Sequence, residues 1–277
     1  MTSVSSQPVT GTLRVPDGRL YYELRGSGPL VVLAGAPMDA DAFAPAADLL
    51  ADGFTVLTTD PRGINRSPLD DPEQESTPPL RGDDLARLIE HAGAGPAAVF
   101  GSSGGACSVL ALAQARPDLV RVVVAHEPPL DELLADRDEL HAATEEMIAL
   151  YLGGDIVGAW RKFMRTANIM IPDPVLEQMF GPGRPARQLA DERRWFAHEL
   201  RGTTHWKPDV DTLRHAGDKV VIGIGEDSDG QLCDRASRAL GEAIGVEPAL
   251  FPGGHTGFAD DPGSFAGRLR GVLAGAA

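Results

Sequence analysis

Apolar residues in this chain fall into short runs, separated by longer stretches with helical spacing. Eight segments read as strands: 11–15, 20–25, 30–34, 55–59, 97–100, 121–125, 219–225 and 247–251. Several are nearly unbroken Val, Ile, Leu and Ala, as expected of strands buried on both faces. Helical patterns lie between them at 42–51, 81–91, 106–116, 234–244 and 265–273. Pro16-Asp17-Gly18 joins the first two strands and carries the turn chemistry of a hairpin. The alternation predicts an α/β chain with a mostly parallel sheet and helices on both sides.

The alternation fails between Leu130 and Leu213, where no strand pattern is convincing. That stretch reads as helices at 131–152, 156–170 and 187–201, punctuated by Pro172, Pro174, Pro182 and Pro185. It is rich in large apolar side chains, including Met147, Trp160, Phe163, Met170, Met179 and Trp195. Most of these are expected to pack helix on helix, with a minority lining an apolar pocket. An insertion of this kind would sit over the strand ends, where open α/β sheets bind ligands. The predicted organisation is a disordered tail at 1–9, a core at 10–130 and 213–277, and a helical cap at 131–212.

Composition narrows the partners. The net charge of −15 argues against nucleic acid or an anionic membrane surface as a partner and reads as solubility; the expected partner is a small-molecule substrate. Only 3 of the 25 basic residues are lysine, and Ala, Gly and Pro are abundant, which points to a high-GC bacterial source. Cys107 and Cys233 are too few for a disulfide framework, and no Cys/His cluster has zinc spacing, so no metal is expected. Neither a signal-peptide pattern nor a run long enough for a membrane span is present, so a cytoplasmic protein is expected, monomeric or homodimeric.

The chemistry concentrates at Gly101-Ser102-Ser103-Gly104-Gly105, a Gly-x-Ser-x-Gly motif directly after an apolar strand and before a helix. A serine hydroxyl is a poor nucleophile unless it is held exposed beside a base and an oxyanion site. A sharp strand-to-helix turn exposes Ser103, and the flanking glycines let strand and helix approach it. The base is assigned to His255, in Gly253-Gly254-His255-Thr256-Gly257 between the last strand and the last helix. His126 is its main competitor. His91, His141, His198, His205 and His215 read as surface residues.

With these motifs, and with Asp60-Pro61-Arg62-Gly63 and Ser67 after the fourth strand, the chain resembles the α/β-hydrolase fold family from about Thr12 to Leu273. The resemblance implies an eight-stranded, mostly parallel sheet with an α-helical cap after the sixth strand. It makes Asp60 and Arg62 structural braces. It also implies a triad acid, and here the chain departs from the commonest pattern of Gly-x-x-Asp after the seventh strand: Gly225-Glu226-Asp227-Ser228-Asp229 has Ser228 in that slot. Some branches, certain haloalkane dehalogenases among them, place the acid after the sixth strand instead. Glu127 occupies that position, 24 residues beyond Ser103 and followed by Pro128 and Pro129. Glu127 is preferred as the acid, with Asp227 and then Asp229 as alternatives.

The resemblance further assigns the oxyanion hole to the backbone N–H groups of Gly104 and Ala36. In Leu33-Ala34-Gly35-Ala36-Pro37 the family's usual His is replaced by Ala34, but Ala36 keeps its N–H. Such a donor contributes about 3–4 kcal/mol of transition-state stabilisation. The leading expectation is a cofactor-free serine hydrolase acting on a small, fairly apolar ester, thioester or lactone through an acyl-enzyme. Branches that need Asp in place of Ser103, the dehalogenases and soluble epoxide hydrolases, do not fit. The alternatives are a carbon–carbon bond hydrolase, lyase, cyclase or cofactor-free haloperoxidase on the same residues, or a ligand receptor with a retained triad.

Overall fold

The computed structural model describes residues 7–275. The predicted tail at 1–9 lies mostly outside them; within them the first strand begins earlier than expected, at Val9. Eight strands, β1 (Val9–Val15), β2 (Gly18–Arg25), β3 (Leu30–Ala34), β4 (Thr55–Thr59), β5 (Ala97–Ser102), β6 (Val120–His126), β7 (Val220–Gly225) and β8 (Ala249–Phe251), form one sheet. Their order is β1-β2-β4-β3-β5-β6-β7-β8. The β1–β2 hairpin and the β2–β4 pair are antiparallel, and every other pair is parallel.

Residues of the parallel strands alternate between two cores, as a period of two requires. Leu30, Val32 and Ala34 face one side with helices α2 (Pro78–Ala92), α3 (Gly104–Ala115), α9 (Val210–Ala216) and α10 (Leu232–Ile244). Val31 and Leu33 face the other, with α1 (Ala40–Leu50), α11 (Gly257–Asp260) and α12 (Pro262–Gly275). Helix starts are earlier than the apolar spacing suggested, because caps and prolines set them. Asp39 accepts the N–H of Asp41 at the start of α1. Pro78 opens α2 at a position where a missing N–H costs nothing.

Between β6 and β7 lie α4 (Arg137–Leu152), α5 (Ile156–Thr166), α6 (Asp173–Phe180), α7 (Ala186–His198) and α8 (Leu200–Thr204). The expected long helix at 131–152 is broken: a single 3₁₀ turn at Asp131–Leu133 precedes α4. Helix α6 was not expected, since its prolines read as breakers; Pro174 sits in the first turn, where it is tolerated. Helix α9 was likewise not foreseen. Met147, Ile148, Tyr151, Trp195, Phe196 and Leu200 form a separate core for this helical segment. Met170 and Met179, expected inside, are exposed.

The segment is fastened to the sheet domain along α7 and α8. Arg194 donates to the carbonyls of Pro72 and Gln74. It passes so close over Gly63 that a Cβ there would lie 1.7 Å from its Nε. Buried Glu199 accepts from Ser76 Oγ at 3.1 Å, and buried Arg81 donates to Thr203 Oγ1 at 2.9 Å. Among the described residues no helix is long and apolar enough to cross a membrane.

Candidate active site

Strand order locates the site. The chain runs from β3 outward to β4 and then returns to β5 on the other side of β3. This reversal opens a crevice at the carboxyl ends of β3 and β5, the position where open α/β sheets bind ligands. Ala36 follows β3 and Ser103 follows β5, so the two flank that crevice.

The turn at Ser103 is strained. Ser103 has φ of 57° and ψ of −124°, a conformation that side chains avoid unless the surroundings impose it. A Cβ on Gly101 would lie 2.2 Å from the carbonyl oxygen of Gly105, and one on Gly105 would lie 2.2 Å from that of Ala34. The two motif glycines therefore let strand, turn and β3 close on each other. Gly104 is the first residue of α3, so its N–H has no intrahelical acceptor. A Cβ there would meet the Ala36 carbonyl oxygen at 2.5 Å, which brings the two expected donors side by side.

Glu127 directly follows β6 and also sits at positive φ, 53°. Four non-glycine residues of the described chain do so. Two are asparagines, Asn65 and Asn168, which tolerate the region; the others are Ser103 and Glu127. The Glu127 carboxylate is fully buried. Its Oε1 accepts the Gly225 N–H at 2.8 Å, and its Oε2 lies 2.5 Å from His255 Nδ1. Burial works against this charge, but the hydrogen bond and charge of His255 outweigh it and hold the carboxyl down at about 2. Burial likewise opposes the imidazolium, while Cys233 and Glu127 raise His255 above an ordinary histidine. Asp227 and Asp229 face solvent on the loop after β7, whereas Ser228 between them is buried near Glu127.

Ser103, Gly104, Ala36 and His255 line one largely apolar cavity, the kind of concave surface that small-molecule sites use. Its far wall comes from the helical segment, through Met147, Phe163, Trp195 and Leu200. Among the lining residues that sequence reasoning did not place here, two carry titratable groups close to the site. Cys233, in the first turn of α10, packs against His255. Asp131, in the 3₁₀ turn after β6, is 2% exposed. Its signal was an acidic residue four positions past Glu127, directly after Pro128-Pro129-Leu130, masked by its assignment to a helix start.

The other candidates lie elsewhere. His126 is sealed in the core among Phe100, Phe251 and Phe265, with Nδ1 3.2 Å from Ser102 Oγ. Burial pushes it down to about 4. His141 and His205, expected at the surface, are half-buried and stack with ring centroids 3.6 Å apart. His198 is also half-buried. Cys107 is buried in α3, its thiol pushed up to about 12. Glu127, Cys233 and His255 place ligand-type atoms within 4.8 Å of one another. The imidazole and carboxylate of that group are already engaged with each other.

A family model described as alpha/beta hydrolase fold matches residues 28–154. An uncharacterized hydrolase of Bacillus subtilis (strain 168), YraK, is 32% identical over 269 residues, covering 95% of each chain. A zearalenone hydrolase of Cladophialophora bantiana is 34% identical over 131 residues, 46% of this chain and 49% of that protein. The crystal structure of an E-2-(acetamidomethylene)succinate hydrolase superposes with a TM-score of 0.69 at 22% identity, covering 97% of this chain and all of the other. With the sheet order and the near-complete match to YraK, these similarities make the chain a member of the α/β hydrolase fold family.

Proposed function

We propose that the protein is a serine hydrolase that cleaves a small, fairly apolar carboxylic ester, thioester or lactone through an acyl-enzyme. The observation that carries this reading is the contact of Glu127 with His255 in a cavity that Ser103 also lines. Ser103 Oγ attacks the carbonyl carbon while His255 Nε2 takes its proton. Glu127 holds Nδ1–H and stabilises the imidazolium that forms. The N–H groups of Gly104 and Ala36 receive the oxyanion. His255 then returns the proton to the leaving group. A water, deprotonated by the same imidazole, attacks the acyl carbonyl and frees Ser103.

The relatives named for hydrolysis of zearalenone and of 2-(acetamidomethylene)succinate fit a reaction of this general kind. The apolar wall from Met147, Phe163, Trp195 and Leu200 favours an apolar body on the substrate. Labelling with a fluorophosphonate probe and peptide mapping tests the reading. A stoichiometric adduct on Ser103 that is lost in His255→Ala is expected. A folded protein that neither labels nor hydrolyses a panel of esters, thioesters and lactones overturns it.

A further inference from the structure

Asp131 stands apart in this cavity. Its side chain is 2% exposed and lines the same space as Ser103 and His255. Its Oδ1 is buried with no hydrogen-bond partner, and among the described residues neither a side-chain hydrogen bond nor an ion pair reaches its carboxyl. No lysine or arginine lines the cavity; the neighbouring polar side chains, such as Thr144 and Gln231, are neutral. Burial first, and then the nearby charges of Asp136 and Glu132, outweigh the opposing charge of Arg235 and raise the carboxyl to about 7. A carboxyl held this way costs stability that a leucine of similar size would not. Every other deeply buried acid near the strand ends has a partner: Asp84 and Asp60 hold arginines, and Glu127 holds His255.

We propose that Asp131 is a specificity-determining residue that binds a protonated amine on the substrate, so that the preferred substrates are esters or related acyl compounds bearing an ammonium group. This rests on the serine-hydrolase reading for the acyl chemistry. An ammonium supplies the donor that the Asp131 carboxyl lacks and pairs with its charge; Asp136 is already paired with Arg235. A carboxylate-bearing substrate meets repulsion and no cation. The apolar wall of the cavity accepts the carbon chain that joins the ammonium to the reacting carbonyl.

The test is a series of acetate esters of ω-(dimethylamino)alkanols with two to six carbons, each paired with its isopropyl-ended isostere and a carboxylate-ended analogue. At pH 8 the best-fitting amine is expected to exceed its isostere roughly ten-fold or more in kcat/KM, through KM, as suits a hydrogen bond between charged groups. Asp131→Asn should reduce that ratio to about two-fold or less, and Asp131→Glu should restore part of it. Equal ratios in the parent and Asp131→Asn, or a parent that prefers the isostere, overturn the proposal. A second arm measures calorimetric binding of N,N-dimethylalkylamines to the parent and to Asp131→Asn. If no ester is hydrolysed yet amine binding is lost in Asp131→Asn, the acyl chemistry fails and the amine site stands. Hydrolysis of the neutral esters without any amine preference has the opposite meaning.

Discussion

Two adjacent parts of the sheet's carboxyl edge treat charge in opposite ways. After β4, every buried charge is paired several times over. Arg62, 2% exposed, donates Nε and Nη2 to Asp84 at 2.7 and 2.8 Å and Nη1 to Asp17 at 2.8 Å. Asp60 accepts the Ala40 N–H and three donors of Arg66. After β5 and β6, the backbone is strained at Ser103 and Glu127, and the Asp131 carboxyl is left without a partner. The first region spends its polar groups on each other and fixes the loop. The second keeps donor and acceptor capacity unspent, which is what a site for an incoming molecule requires.

Substitutions can break this contrast. The largest effect is expected at the reactive turn: Ser103→Ala should lower ester turnover by about 10⁴-fold or more, with a melting temperature close to the parent's. Turnover that survives would move the chemistry away from Ser103. Glu127→Gln keeps the shape but loses the charge that holds His255, and should cost about 10³–10⁴-fold in kcat. At the β4 edge the consequence is instead structural. Arg62→Ala strands Asp84 in the interior and should cost about 3–5 kcal/mol in denaturant unfolding, with activity per folded molecule nearly unchanged. A large loss of specific activity there would blur the distinction.

A smaller effect, of opposite sign, sharpens it. The folded Asp131 carboxyl titrates near 7 against an ordinary 3.8, so between those values the native state holds a proton that the unfolded chain has released. Its contribution to stability is full below about pH 4 and is lost as the pH rises through about 7. Asp131→Asn should therefore stabilise the protein by about 1–3 kcal/mol at pH 8, and the gain should fade toward pH 4. A gain independent of pH would mean that the carboxyl is not destabilised by its charge. The smallest effect is expected at Asp227→Asn and Asp229→Asn, within about two-fold of parent kcat/KM; a collapse at Asp227 would displace Glu127 as the partner of His255.

The sheet was largely legible because buried strands need apolar runs and the chain has few others. All eight strands lie near their predicted places; the helix starts shift, where the Asp39 cap, Pro78 at the first turn and the 3₁₀ turn before α4 set boundaries that apolar spacing does not show. The helical segment was less legible: proline reads as a breaker in sequence, yet Pro174 sits in the first turn of α6. Around Ser103, the glycine spacing announced close packing because only glycine permits it. Glu127 drew attention as a carboxylate between a buried strand and two prolines, and its carboxylate meets His255. Asp131 and Cys233 gave no comparable sign, because their nearness to His255 or to the cavity depends on how distant elements fold together.

The notch at Gly63 bears on how the molecule breathes. Arg194 fills it and grips the Pro72 and Gln74 carbonyls, while Glu199 and Arg81 tie α8 to the same side with buried charge. Across the segment, the link between α5 and α6 holds Gly230 by one exposed bond, from Asn168 Nδ2 to its carbonyl, and Met170 and Met179 are exposed nearby. The segment is thus expected to loosen first along α5 and α6 and last along α7 and α8. Amide protons of α6 should exchange with deuterium well before those of α7, and small molecules should pass to and from the cavity beneath α5.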